Sequence, residues 1–250
     1  MTSTITVPAP AKLTLSLRLL DEVRPDGLHT IDAEMVTLDF GDELTIGPPG
    51  PHGSSVTYEG LPVPPSPPSA DGGANADDLV TRALALADRE ATVSVLKRIP
   101  AGAGLGGGSS DAAAILRWAG FDDHERAAAE IGADVAFCLV GGRARVGGMG
   151  ERIEPLPFEP TVVTLATPPV HCSTADVYRM WDRLGGPSGE GVNDLEPAAL
   201  AVAPELAEWR DKLAADTGAT PHLAGSGSTW FVIGDHPGPG RVVARTIPAP

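Results

Sequence analysis

The stretch Pro100-Ala101-Gly102-Ala103-Gly104-Leu105-Gly106-Gly107-Gly108-Ser109-Ser110-Asp111 constrains this chain more than any other. Five glycines fall within seven positions, 102 to 108. A β-rich run, Thr92 to Leu96, leads into them, and a helix-compatible run, Ser109 to Trp118, follows. Glycine lets successive backbone N–H groups turn into one concavity, and the helix behind adds the positive end of its dipole. Such a nest suits phosphate oxygens. A plain turn needs neither that density of glycine nor two serines at a helix start. Pro100 to Ser110 therefore reads as a phosphate cradle, with the Ser109 and Ser110 hydroxyls available to phosphate or, at Ser110, to Mg²⁺. A P-loop is excluded, because Lys-Ser/Thr does not follow the last glycine. Gly102-x-Gly104-x-x-Gly107 matches the dinucleotide fingerprint, with Asp122 downstream. However, Phe121 to Glu125 reads as a turn before a helix rather than a strand end, which leaves a dehydrogenase as the weaker alternative.

Around the loop the pattern is mixed α and β. Ile5 to Ile46 reads mostly as strand: Leu13, Leu15, Leu17 and Leu19 alternate with polar residues, and Arg24-Pro25-Asp26-Gly27 marks a turn. Leu61 to Gly73 is rich in Pro, Ser and Gly and reads as an exposed loop. Helices are expected over Asp77–Asp88, Asp123–Ile131, Ser173–Leu184 and Glu205–Ala215, and strands over Arg143–Val146, Val162–Ala166, Trp230–Ile233 and Arg241–Ile247. Pro155-Leu156-Pro157 is the natural place to divide the chain into 1–157 and 158–250.

Charge narrows the partners. With 18 basic and 33 acidic residues the formal net charge is −15, which argues against a nucleic-acid polymer or an anionic membrane. Two cysteines, Cys138 and Cys172, do not make a disulfide scaffold. The start of the sequence lacks a signal-peptide pattern, so the expectation is a cytoplasmic protein. Lysine occurs only at 12, 97 and 212. Lys12 alone reads as a strand-edge residue whose stem packs on apolar surface. Asp134, at the head of an apolar run, reads either as a helix cap or as a functional carboxylate. Leu223 to Trp230 is a second small-residue loop, read as a hairpin or as another wall of a phosphate or substrate site. His29 follows the Asp26-Gly27 turn.

In their order along the chain, these pieces resemble the GHMP kinase superfamily, most of all its 4-diphosphocytidyl-2-C-methyl-D-erythritol kinase family. The matching residues are Pro10-Ala11-Lys12-Leu13, Asp26-Gly27-Leu28-His29, Leu38 to Asp42, Lys97 to Asp111, Gly132 to Val135, Gly148 to Glu151, Asn193 to Glu196 and Gly225 to Ser228. The resemblance implies an α+β fold of two halves, the first like ribosomal protein S5 domain 2 and the second ferredoxin-like, with the site between them. It implies ATP and Mg²⁺ as cofactors, Lys97 and Pro100–Ser110 around the nucleotide phosphates, and Ser110 on the metal. Asp134 is then the base and Lys12 its partner. His29, Thr174, Gly225, Ser226 and Gly227 would meet the substrate. That substrate would be a cytidine diphosphate-linked alcohol, phosphorylated on its 2-hydroxyl in isoprenoid precursor synthesis by a monomer or homodimer. The alternatives are another GHMP small-molecule kinase of the mevalonate, homoserine or sugar type, or a non-catalytic nucleotide-binding member. Four features depart from the family pattern: Leu28 where a tyrosine is usual, Ala136 where a proline is, Asp78 where an asparagine is, and a short segment from 111 to 132.

Overall fold

The computed structural model describes residues 3–23, 29–62, 78–186 and 191–250. The turn at 24–28, with Leu28, and most of the Pro/Ser/Gly-rich loop lie outside the described residues. In chain order the first elements are β1 (Ile5–Val23), β2 (His29–Gly47), β3 (Ser55–Gly60), α1 (Leu79–Leu86), β4 (Thr92–Lys97) and α2 (Gly107–Ala119). Next come α3 (His124–Glu130), α4 (Ala133–Val140), β5 (Arg143–Gly148), β6 (Arg152–Pro155) and β7 (Val162–Ala166). The rest are α5 (Thr174–Arg183), α6 (Glu196–Val202), α7 (Leu206–Thr217), β8 (His222–Leu223), β9 (Trp230–Ile233) and β10 (Arg241–Ile247). This is the mixed α and β architecture that the sequence predicts.

The alternating segments at the start become two strands of 19 residues each, paired antiparallel. β2 is the hub. Its last residues pair with β4, its first half pairs with β5, and Thr37 and Leu38 meet Ile247 and Thr246 of β10. Through β10 the sheet runs on to β7, β9 and β8. The register between β1 and β2 shifts between Pro10 and Lys12. At that irregularity the Lys12 N–H donates instead to the Leu105 carbonyl of the glycine-rich loop, at 3.1 Å. Such irregularities re-aim side chains, and this one presents Lys12.

Three apolar clusters hold the elements together. α1, α2 and α4 pack Val80, Leu84, Ile115, Leu116 and Val135 against Leu44, Val93 and Val95 of the sheet. α5, α6 and α7 cover the other end, with Val177, Leu195 and Leu206 around Trp230. The third cluster explains the glycine spacing of the loop. Ala103 and Leu105 are buried with Leu13, Leu38 and Phe231, while the glycines alternate with them. Full burial of a leucine contributes roughly 1.5–3 kcal/mol, so the loop is anchored from below.

Candidate active site

A cleft of about 600 Å³ runs along the glycine-rich loop, and the loop supplies one wall from Pro100 to Ser109. α2 starts from Gly106 with a left-handed φ of 68° and no side-chain cap. The first turn of an uncapped helix has unpaired N–H groups, and residues 106–109 line the cleft. The space above Gly106 is closed to any side chain, since a Cβ there would stand 2.7 Å from Lys12 Cγ.

The second small-residue loop forms the facing wall, and backbone bonds fasten the two loops together. Ser228 N–H donates to Gly102 O and Thr229 N–H to Ala103 O, each at 3.1 Å. Gly225 and Ser226 line the cleft, whereas Gly227 turns toward Leu223 and Cys172. Asn193 and Asp194 lock this arrangement to β1. The Asn193 amide donates to Leu223 O at 2.9 Å and Gly225 O at 2.7 Å. Asp194 accepts from Leu19 N–H at 3.0 Å and pairs with Arg18 at 2.6 Å.

Lys12 and Asp134 meet at the centre. Lys12 Nζ lies 3.2 Å from Asp134 Oδ2 and 3.3 Å from Thr14 Oγ1. The lysine side chain is 6% exposed and the aspartate 39%, so the ammonium is buried behind a carboxylate that solvent and ligands can reach. Asp134 sits in the first turn of α4, where the helix dipole favours its charge.

Two of the expected site residues have their polar groups engaged elsewhere. Lys97 borders the cleft, but its ammonium is enclosed by Asp42 and, at 2.7 Å, Asp111. Burial opposes its charge, and the two carboxylates outweigh burial and raise its pKa. Its charge is therefore committed beneath the loop rather than offered to phosphate. Asp42 also accepts from Arg98 N–H at 2.5 Å and Ile99 N–H at 2.8 Å, which fixes the entry to the loop. Ser110 is buried, and its hydroxyl donates to Pro10 O at 2.7 Å, away from the cleft. A hydroxyl held there is poorly placed to bind a metal in the cleft.

The cleft also contains residues that were not singled out as site residues. Asp111 lines it with one buried oxygen lacking a hydrogen-bond partner. Burial pushes its pKa up to about 7, Lys97 pulling it down and Asp42 adding to the rise. Tyr58 donates to Asp78, and both line the cleft; burial, then this bond, raises the tyrosine pKa. Asp78 also caps α1 by accepting from Thr81 N–H at 2.9 Å. Tyr178 lies one helical turn beyond Thr174 on α5, and that i, i+4 spacing was the available signal. Burial, then the Asp134 charge, pushes its pKa up to about 12. Thr174 Oγ1 and Ser226 Oγ are 3.0 Å apart, so α5 joins the second loop at the cleft wall. His29 stacks on Tyr178 with ring centroids 6.2 Å apart, meets Trp181 edge-on, and bonds Asp182 at 2.8 Å.

Known proteins resemble this chain in sequence and in fold. Residues 78–142, from the start of α1 through α4, match the GHMP kinases N-terminal domain. The 4-diphosphocytidyl-2-C-methyl-D-erythritol kinase of Paracoccus denitrificans is 37% identical over 243 residues, which cover 89% of this chain and 84% of that enzyme. This chain belongs to that family of GHMP kinases. The Geobacillus thermodenitrificans member is 35% identical, with 93% of this chain and 89% of the relative covered. A crystal structure of a 4-(cytidine 5′-diphospho)-2C-methyl-D-erythritol kinase superposes with a TM-score of 0.72 at 29% identity, covering 97% of this chain and 99% of the other. Homoserine kinase from Cytophaga hutchinsonii shares the fold at 18% identity, with a TM-score of 0.57 and coverage of 100% and 96%. GHMP kinases are ATP-dependent phosphotransferases acting on small molecules. The loop fits such a donor, because its alternation anchors apolar residues below and leaves glycine at the surface where phosphates would lie.

Proposed function

We propose that this chain transfers the γ-phosphoryl group of ATP to the 2-hydroxyl of 4-diphosphocytidyl-2-C-methyl-D-erythritol, for isoprenoid precursor synthesis in the cytoplasm. The observation that carries this reading is the contact of Lys12 with Asp134 at 3.2 Å, in a cleft walled by the glycine-rich loop. Asp134 accepts the hydroxyl proton as the substrate oxygen forms its bond to the γ-phosphorus. The bond from that phosphorus to the bridging oxygen breaks, and ADP leaves with the electron pair. Lys12 steadies the developing oxygen charge and holds Asp134 in place. The N–H groups at the start of α2 cradle the donor phosphates, which is positioning and charge stabilisation rather than covalent work.

Among the described residues no group of three His, Cys, Asp or Glu side chains forms a metal cage. The fit is therefore to Mg²⁺ carried on the nucleotide, where it would neutralise phosphate charge; of the residues lining the cleft, Asp111 is the carboxylate that would help to hold it. At the other end of the cleft, Tyr178 offers an aromatic surface to a pyrimidine, and His29, bonded to Asp182, stacks behind it rather than lining the cleft. Leu28 has no ring to stack, so the reading assigns that contact to Tyr178.

The test is a panel of acceptor alcohols with coupled detection of ADP. 4-Diphosphocytidyl-2-C-methyl-D-erythritol should exceed mevalonate, homoserine and galactose in kcat/KM by at least about 10³-fold, because a site built to pair polar groups rejects ligands lacking them. Comparable turnover of any of the three would replace this substrate with that one. ATP binding without turnover of any acceptor would make the chain a nucleotide-binding member only.

A further inference from the structure

A second cavity, of about 410 Å³, is bordered by Lys12 as the cleft is. Its walls are mostly apolar: Val7 and Pro8 of β1, Trp118 of α2, Phe137 of α4 and Pro248 after β10. Two polar groups among them are unbalanced. Arg117 is largely buried, and its guanidinium donates to the Cys138 carbonyl. Among the described residues no carboxylate pairs with it. The C-terminal ends of α2 and α4 give it partial negative charge but not a counter-ion. A guanidinium removed from water without a full counter-charge is destabilising, and burial lowers its pKa accordingly. Thr37, 8% exposed, carries the second group, a buried hydroxyl with no hydrogen-bond partner. That hydroxyl looks toward Gly141, where a Cβ would stand 3.6 Å away, and Gly141 is itself part of the cavity wall.

We propose that this cavity binds a small organic anion, with a phosphate or carboxylate head on Arg117 and Thr37 and a short aliphatic tail against Trp118 and Phe137. The head supplies the missing counter-charge and an acceptor for the Thr37 hydroxyl. The tail fills a space that water solvates poorly. Because Lys12 and α4 border both cavities, the occupant lies against the elements that carry the catalytic pair. The site is separate from the phosphate loop and does not depend on which acceptor the enzyme uses.

Calorimetric titration with hexyl phosphate, hexanoate and hexan-1-ol tests this. At least one of the two anions should bind about tenfold more tightly than the alcohol, as expected for a charge-assisted hydrogen bond. Which anion does so tells whether the head is phosphate or carboxylate. Arg117→Met should remove that preference. Thr37→Val, which deletes only the unpartnered hydroxyl and should leave Tm unchanged or higher, should weaken the anion about three- to tenfold. The Thr37 variant keeps the test decisive if the Arg117 variant fails to fold. Equal binding of alcohol and anions would overturn the proposal, as would no anion binding at all. So would anion binding that neither substitution alters, which would locate the ligand in the phosphate loop.

Discussion

At the scale of single residues, the proposed catalysis rests on which carboxylate stays available. Asp42 is closed off by Lys97 and two backbone N–H groups, and Asp194 is bound to Arg18 and the Leu19 N–H. Of the carboxylates lining the cleft among the described residues, Asp78 caps α1 and accepts from Tyr58, and Asp111 is buried against Lys97. Asp134 is 39% exposed and faces one ammonium at 3.2 Å, which on the proposed reading makes it the one that meets a substrate hydroxyl. Asp134→Asn keeps the size and loses the proton acceptor. It should lower kcat by a factor of about 10²–10⁴. ATP affinity, measured by calorimetry, should stay within about threefold, because the phosphate loop is untouched. Near-normal turnover would remove Asp134 as the base. The pairing of Lys12 with Asp134 was reached only through the resemblance to GHMP kinases: by its local pattern the lysine read as a strand-edge residue and the aspartate equally as a helix cap, because the two lie on elements far apart in sequence. The fate of Lys97 was not legible. Its partners, Asp42 and Asp111, lie 55 and 14 residues away, and nothing local to Lys97 announces them. The bond of the Ser110 hydroxyl was hidden for the same reason, because its acceptor on Pro10 is supplied by a distant strand.

At the scale of elements, the site depends on two loops closing on each other. Gly104 is the contact point: its φ is +77°, and a Cβ there would meet Ala224 O at 2.3 Å and Gly227 O at 2.8 Å. Gly104→Ala therefore adds left-handed strain to a backbone clash, together a loss of roughly 2–4 kcal/mol. Thermal unfolding should show Tm lower by roughly 4–16 °C, and the KM for ATP should rise as the cradle opens. Gly120, at the end of α2, has a similar φ of +73° but nothing within 4 Å. Gly120→Ala should cost only the strain, about 1–2 kcal/mol, and leave the KM unchanged. If both variants behave alike, the loop contact is not what the glycine protects. Regular elements with a buried face were well predicted: β4, α2, α5 and β9 fall within about two residues of their expected bounds. β3 was missed because Ser55–Gly60 is an edge strand, exposed along most of its length and paired only with β4. α6 was missed because Glu196–Val202 is one short Ala-rich piece whose helix is stabilised by packing rather than by a periodic pattern.

At the scale of the whole molecule, an enzyme of net charge −15 must admit an anionic nucleotide and, on the reading above, an anionic acceptor. Lys12 and Lys97 are the lysines that line the cleft and the obvious source of a local positive potential. The structure narrows that source, for each ammonium already faces carboxylate, Lys12 against Asp134 and Lys97 between Asp42 and Asp111. Attraction therefore begins at short range, from the backbone N–H groups of the loop, while the long-range field repels. Screening acts on the two unequally. The Debye length falls from about 30 Å at 0.01 M salt to about 8 Å at 0.15 M, which removes most of the repulsion during approach and little of the hydrogen bonding on contact. At fixed free Mg²⁺, kcat/KM for ATP should then rise about two- to threefold as ionic strength increases over that range. kcat, measured at saturation, should change little, because the bonds made in the transition state lie inside the cleft. A steep fall of kcat/KM with salt would mean that an unneutralised cationic surface steers the nucleotide, and that the two buried ammonium groups are not the balance of charge at this site.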